Sequence, residues 1–193
     1  KNILIKKQGK GTFVTVPALE SNAQELLGFT DIFSKHGYDL KKEILSVMVI
    51  PAPVSCVQDF KIQPNDNVIE VRRILLIKEI RTILETIYFP VSFSFILQED
   101  LTQSLYGILH KHGIYPTMAK KKIDICYATA EEAKLLDIKP QKALFLCTDF
   151  VNDQEGNCIH KSRQLIRSDI YKLTVYSTNV DLERSEERRV GKE

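Results

Sequence analysis

FKIQPNDNVIEV, residues 60–71, returns later in the chain as LDIKPQKALFLC, residues 136–147, at a constant offset of 76. Each copy sets Ile-x-Pro ahead of an apolar run with the composition of a strand. Upstream of the first copy, KEILSVMVI (42–50) alternates as a strand, and PAPVSCVQDFKI follows with Pro53 placed in the first turn of a helix. Upstream of the second, TMAKKKIDICYA (117–128) is again a strand. TAEEAKLLDI (129–138) then opens a helix with Thr129 and Glu132 spaced as a capping box. Downstream, VIEVRRILLI (68–77) and TILETIYF (82–89) form one hairpin, and KALFLCTDFV (142–151) and NCIHKSRQLIR (157–167) another. A strand, helix, hairpin unit therefore occurs twice. Such a duplication predicts an α/β (α+β) domain with one central antiparallel sheet, a pseudo-two-fold axis and flanking helices on one face. A ligand site would draw on equivalent strands of both halves.

The remaining segments surround this core. QGKGTFV (8–14) follows NILI and reads as a tight hairpin, its glycines supplying positive-φ turn positions. ALESNAQELLG (18–28) is a polar connector, and Thr30 in FTDIFSKHG (29–37) is placed to N-cap a short helix closed by Gly37. Between the two units, QEDLTQSLYGILHKHG (98–113) predicts a helix from about Thr102 to His112. ERSEERRVGKE (183–193) holds one apolar residue, Val190, and reads as a disordered or non-native tail.

Composition narrows the function classes. A hydrophobic share of 44% in 193 residues supports a real core. A formal charge of +2 gives the bulk of the chain no footprint of a nucleic-acid binder. No apolar run has the length of a membrane span, so the expected address is cytoplasmic, with no membrane partner. Cys56, Cys126, Cys147 and Cys158 are widely spaced in apolar stretches and read as free, buried thiols rather than a metal or disulfide site. The histidines of HKH (110–112) are two apart and share no helical face, and KKK (120–122) reads as a solvated strand end.

Several segments, in order, resemble a known family. QGKGTFV is similar to the wing closing the winged helix-turn-helix of GntR-type bacterial transcription regulators. GFTDIFSKHG, ILSVMVIPAP, IQPNDNVIEVRRILL, ETIYFP, DLTQSLYGIL and RQLIRSDIY resemble the UTRA effector-binding domain of their HutC branch. The resemblance implies a chorismate-lyase-like fold and a homodimer. It also implies a small-molecule effector, commonly a sugar phosphate, that changes operator binding by attached DNA-binding domains. It divides the chain into a remnant wing of an N-terminal winged helix-turn-helix (1–16), a linker (17–27), an effector-binding and dimerisation domain (28–178) and the tail (179–193). Operator DNA would then be met through the full-length protein only.

The same resemblance supplies candidate effector-binding residues. Arg73 corresponds to the first arginine of the family's Arg-x-Arg phosphate clamp, whose second arginine is here Leu75; Arg72 points to the opposite face. Ser104 and Tyr106 match the family's helix-opening SLY. Ser104 would seat an anion or act as an ordinary helix-start serine, and Tyr106 would line the pocket or pack in the core. Glu85 aligns with a family glutamate and either accepts sugar hydroxyls or closes a cross-strand salt bridge. His160 stands where amino-sugar-binding members carry glutamate, as an effector contact or an exposed strand histidine. Arg163 shares a face with Lys161 and Leu165 and is a candidate for an extra contact, and Thr30 completes the set. Arg167 and Asp169 match family residues that tie down the last hairpin.

The sequence leaves two classes open. The first is a non-catalytic sensor with no cofactor and no metal. The second is a chorismate-lyase-like enzyme acting on a small aromatic carboxylate, against which the sequence offers no acid-base pair, activated nucleophile or metal set.

Overall fold

The computed structural model describes strand backbones at 3–7, 11–15 and 19–22, positions 30 and 33, and residues 37–175. The central sheet is built from the two predicted units. The first contributes β4 (Leu40–Pro51), helix α1 (Val54–Phe60), β5 (Asn67–Ile77) and β6 (Ile80–Pro90). The second contributes β7 (Met118–Tyr127), helix α3 (Ala130–Leu136), β8 (Ala143–Asn152) and β9 (Cys158–Arg167). Their strands form one antiparallel sheet in the order β4-β5-β6-β9-β8-β7, so the pseudo-two-fold axis falls between β6 and β9. The repeat extends to the backbone. Lys61 and Asp137, related by the 76-residue offset, both close their helices in the left-handed region, at φ 53° and 52°.

Helices lie on both faces, which the duplication alone does not predict. On one face Ala133 and Leu136 of α3 join Ile74, Leu76, Leu84, Leu144 and Leu165 in an apolar cluster. Lys161 donates to Ser55 O and Asp59, tying α1 to that same face. The other face is roofed by the segment between the units, a 3₁₀ stretch (Val91–Gln98) and helix α2 (Leu105–Lys111). Ile96, Leu105, Ile108 and Leu109 pack there on Ile69, Val71, Ile87 and Phe89. Helix α2 starts at Leu105 rather than Thr102, because Asp100 accepts from the backbone and hydroxyl of Thr102 and from Gln103, forming a turn that precedes the helix.

At the far end of this roofed face Phe33 packs edge-on against Tyr171, with Leu75, Ile83 and Ile166 beneath. Tyr171 belongs to β10 (Tyr171–Thr174), which pairs in parallel with β3 (Leu19–Asn22). Part of the expected linker is therefore a strand. The N-terminal hairpin pairs β1 (Ile3–Lys7) with β2 (Gly11–Thr15); its expected glycine turn at Gly9 and the charged tail lie outside the described residues. Cys56 and Cys147 are buried, Cys126 and Cys158 partly so, and all four are free. Among the described residues no helix is long and apolar enough to cross a membrane.

Candidate functional site

Strand alternation sends Ile69, Val71, Arg73, Leu75 and Ile77 of β5 to the roofed face, and Ile83, Glu85, Ile87 and Phe89 of β6 join them. Apolar clusters occupy both ends of this face, and a polar belt crosses its middle. Arg73 and Glu85 are register partners, and Arg73 Nε donates to Glu85 Oε2 at 2.6 Å with both side chains only 5% exposed. Gln164, opposite Glu85 on β9, donates to Glu85 Oε1 at 3.3 Å, to Ser162 Oγ at 2.9 Å and to Asp149 Oδ2 at 3.4 Å. Lys121 on β7 closes the row by donating to both oxygens of Asp149, at 2.7 and 2.6 Å. Five strands thus contribute one connected row of charges and amides.

The loop ahead of α2 is held down onto this row through its carbonyls. Arg73 Nη1 donates to Leu101 O at 3.2 Å, and Lys42 of β4 donates to Thr102 O and Gln103 O at 2.7 and 3.1 Å. Ser104 is the N-cap of α2, its Oγ accepting from Gly107 N at 3.2 Å. Tyr106, one turn into the roof, packs with the apolar cluster and lies 6.1 Å ring to ring from His160.

His160 is buried, not exposed. It is 4% accessible, lies 5.6 Å from the Phe89 ring, and neither ring nitrogen meets a hydrogen-bond partner among the described residues. Burial, reinforced by the positive charges of Arg73 and Lys121, pushes its pKa down to about 3. The imidazole is therefore neutral at physiological pH, with one N–H and one lone pair left to offer. Gln164 Oε1 and Ser46 Oγ are likewise buried without partners.

The structure brings Arg73, Glu85, Ser104, Tyr106 and His160 together around the belt. Arg163 is not among them. Odd positions of β9 face the α1/α3 side, where Arg163 is exposed and pairs with Glu132 at 3.3 Å, beside the Arg72–Glu131 pair. Thr30 itself has helical geometry and is half-buried, with its sequence neighbours outside the described residues. Glu85 forms the cross-strand salt bridge, and Leu75 is fully buried in apolar contacts, so core packing occupies the place of a second arginine. Lys42, Lys121, Asp149, Ser162 and Gln164 were missed by sequence reading. Asp149 was within reach of it, since it lies 76 residues after Arg73.

A six-stranded antiparallel sheet made by duplication, roofed on one face over a buried polar row, defines a ligand-binding domain class rather than a DNA-reading one. Residues 35–172 match the UTRA domain family, and the chain belongs to it. The chain is 31% identical over 145 residues to the uncharacterized HTH-type transcriptional regulator YurK of Bacillus subtilis, covering 74% of this chain and 60% of YurK. It is 28% identical over 178 residues to the probable fructoselysine utilization operon transcriptional repressor of Escherichia coli O157:H7, covering 90% of this chain and 72% of that one. In fold it is similar to the crystal structure of PhnF from Mycobacterium smegmatis, with a TM-score of 0.82 at 22% identity over 91% of this chain and 78% of that chain.

Proposed function

We propose that this chain is the effector-binding part of a bacterial transcription regulator, sensing a small anion such as a sugar phosphate in the polar belt. The observation that carries the proposal is the buried row from Arg73 to Lys121 with the unpartnered His160 beside it. His160, Gln164 Oε1 and the Ser104 hydroxyl would serve ligand hydroxyls. Similarity to the probable fructoselysine utilization operon repressor supports the sugar class.

Arg73 and Lys42 hold the 101–103 carbonyls, and an anion is a stronger partner for both. Ligand binding would shift that loop and with it the roof, and only a difference in affinity between the two arrangements transmits anything. The path out is the β3–β10 pair, since β10 anchors through Tyr171 to Phe33 at the end of the same face. In this reading the β1–β2 hairpin (within 1–16) is the wing of a DNA-binding domain, 17–27 joins it to the effector and dimerisation domain at 28–178, and the protein acts as a cytoplasmic homodimer without catalysis.

The test is calorimetric titration of sugar phosphates, their dephosphorylated sugars and fatty acids into wild type and Arg73→Lys, which keeps the charge facing Glu85 but loses the guanidinium fork. A sugar phosphate that binds wild type, at least tenfold weaker in Arg73→Lys, supports the proposal. Binding of uncharged sugar indifferent to Arg73 overturns the anion seat, and turnover of a chorismate-like substrate overturns the sensor reading.

A further inference from the structure

We infer that β7 is the contact between two copies of this chain, paired antiparallel edge to edge with the two-fold axis at Ile123. The inference rests on the homodimer proposed above and names its surface. β7 is the outermost strand, with β8 on one side and its other edge open among the described residues. Along that edge Ile123, Ile125 and Tyr127 are 41%, 70% and 64% exposed at every second position, so they form one apolar row. An open edge with an apolar row is a pairing template that monomeric proteins blunt with charge, bulges or proline.

The opposite edge, β4, also exposes Ile44, Leu45, Met48 and Val49, but it is blunted in these ways. It carries a register shift between Ile44 and Ser46, it ends in Pro51, and its charges are committed, Lys41 to Glu79 and Glu43 to Arg81. On β7, Lys122 and Asp124 flank Ile123 and hold no ion pair among the described residues; Lys122 lies over the Phe150 ring at 5.7 Å.

Charge selects the register. With the axis at Ile123, Ile123 meets its own copy and Lys122 stands opposite Asp124 of the second copy, twice by symmetry. Ile125 then lies against the Lys121 stem, and Tyr127 against Ala119. Moving the axis to Asp124 sets two aspartates face to face. Moving it to Ile125 leaves the lysines without a carboxylate opposite and brings the aspartates into diagonal contact. The pairing joins two six-stranded sheets into one. It also ties the dimer to the belt, because Lys121 of β7 holds Asp149.

Sedimentation velocity on the full chain tests this, with circular dichroism confirming that each exposed-site variant folds. Wild type is expected to be a dimer at micromolar concentration. K122E and D124K should each weaken dimerisation at least tenfold, and the double variant K122E/D124K should restore it to within a few-fold of wild type. A dimer indifferent to both single reversals overturns this surface while leaving the homodimer standing. A monomeric wild type overturns both.

Discussion

The two halves of the sheet share a backbone and differ in chemistry. Ile62 N donates to Val57 O in the first half and Ile138 N to Ala133 O in the second, the same helix-closing bond 76 residues apart. Their hairpins break the match. β5 and β6 are joined by Lys78 and Glu79 alone, both at positive φ as a type I′ turn requires. β8 and β9 are joined by a longer loop, where Asp153 accepts from the backbone of Glu155 and Asn157 and Gly156 supplies φ 82°. The added length slips the pairing by one residue, so Arg73 faces Glu85 while its counterpart Asp149 faces Ser162. Duplication therefore preserves the frame, and one loop decides which side chains meet across it.

The largest expected difference between the halves lies in their ion pairs. Arg73–Glu85 is buried, with both side chains 5% exposed, whereas Lys121–Asp149 sits at the open edge with side chains 25% and 13% exposed. Removing one partner of a buried pair leaves an uncompensated charge, at a cost of about 3–5 kcal/mol. Glu85→Ala should lose that much stability in urea denaturation, and Arg73→Met with Glu85→Leu should recover most of it. Lys121→Met should cost only about 1–2 kcal/mol, the range of a partly solvated charged hydrogen bond. Equal losses would break the contrast.

A second difference is readable in pH. The registers Leu75↔Ile83 and Val151↔His160 make Ile83 the counterpart of His160, one apolar and one a buried imidazole. The folded pKa of His160 is depressed to about 3, and the unfolded chain titrates near about 6.5. Between these values the unfolded state binds the proton that the fold refuses. Stability is full above the higher value and falls as pH drops toward the lower, by at most about 1.4 kcal/mol per pH unit for this group. Asp169 adds its own acid loss in a lower window. Burial raises its pKa, but hydrogen bonds from Arg167 and Lys142 outweigh this and hold it at about 2. Glu132, whose pKa is also held below its ordinary value of 4.5, begins to lose its stabilising contribution near that value, so melting followed from pH 6.5 to 5.5 reads His160, and His160→Ile should flatten the profile there. An unchanged slope would mean that another group carries it.

Most of the fold was legible because its signals are local: alternation in each strand, the capping box at Thr129 and the repeated Ile-x-Pro. What stayed hidden needed partners distant in sequence. The parallel β3–β10 pair joins segments some 150 residues apart and leaves no pattern in either. At the site, Arg73 and Glu85 could be read from the sequence, and Asp149 was within reach through its 76-residue offset from Arg73, but Lys121 and Gln164 could not, because a strand residue's face depends on register and register depends on hairpin length. The same slip put Arg163, a plausible contact by residue type, on the face away from the belt. The burial of His160 required the roof over β9, which comes from the segment between the repeats.

The smallest effect tests what the halves keep in common. Lys61 and Asp137 adopt left-handed geometry that L-residues reach only at a cost and glycine reaches freely. Lys61→Gly and Asp137→Gly should each stabilise by about 0.5–1 kcal/mol, read as matched upward shifts in urea midpoint. The helices they close start differently: Thr129 and Glu132 cap α3 reciprocally, and Pro53 gives α1 no side-chain cap. Matched gains would show that each C-terminal turn is set by the repeated backbone and is independent of the cap at the other end. A gain confined to Lys61→Gly would show that Asp137 is held in its conformation by contacts special to the second half, and that the symmetry there is geometric but not energetic.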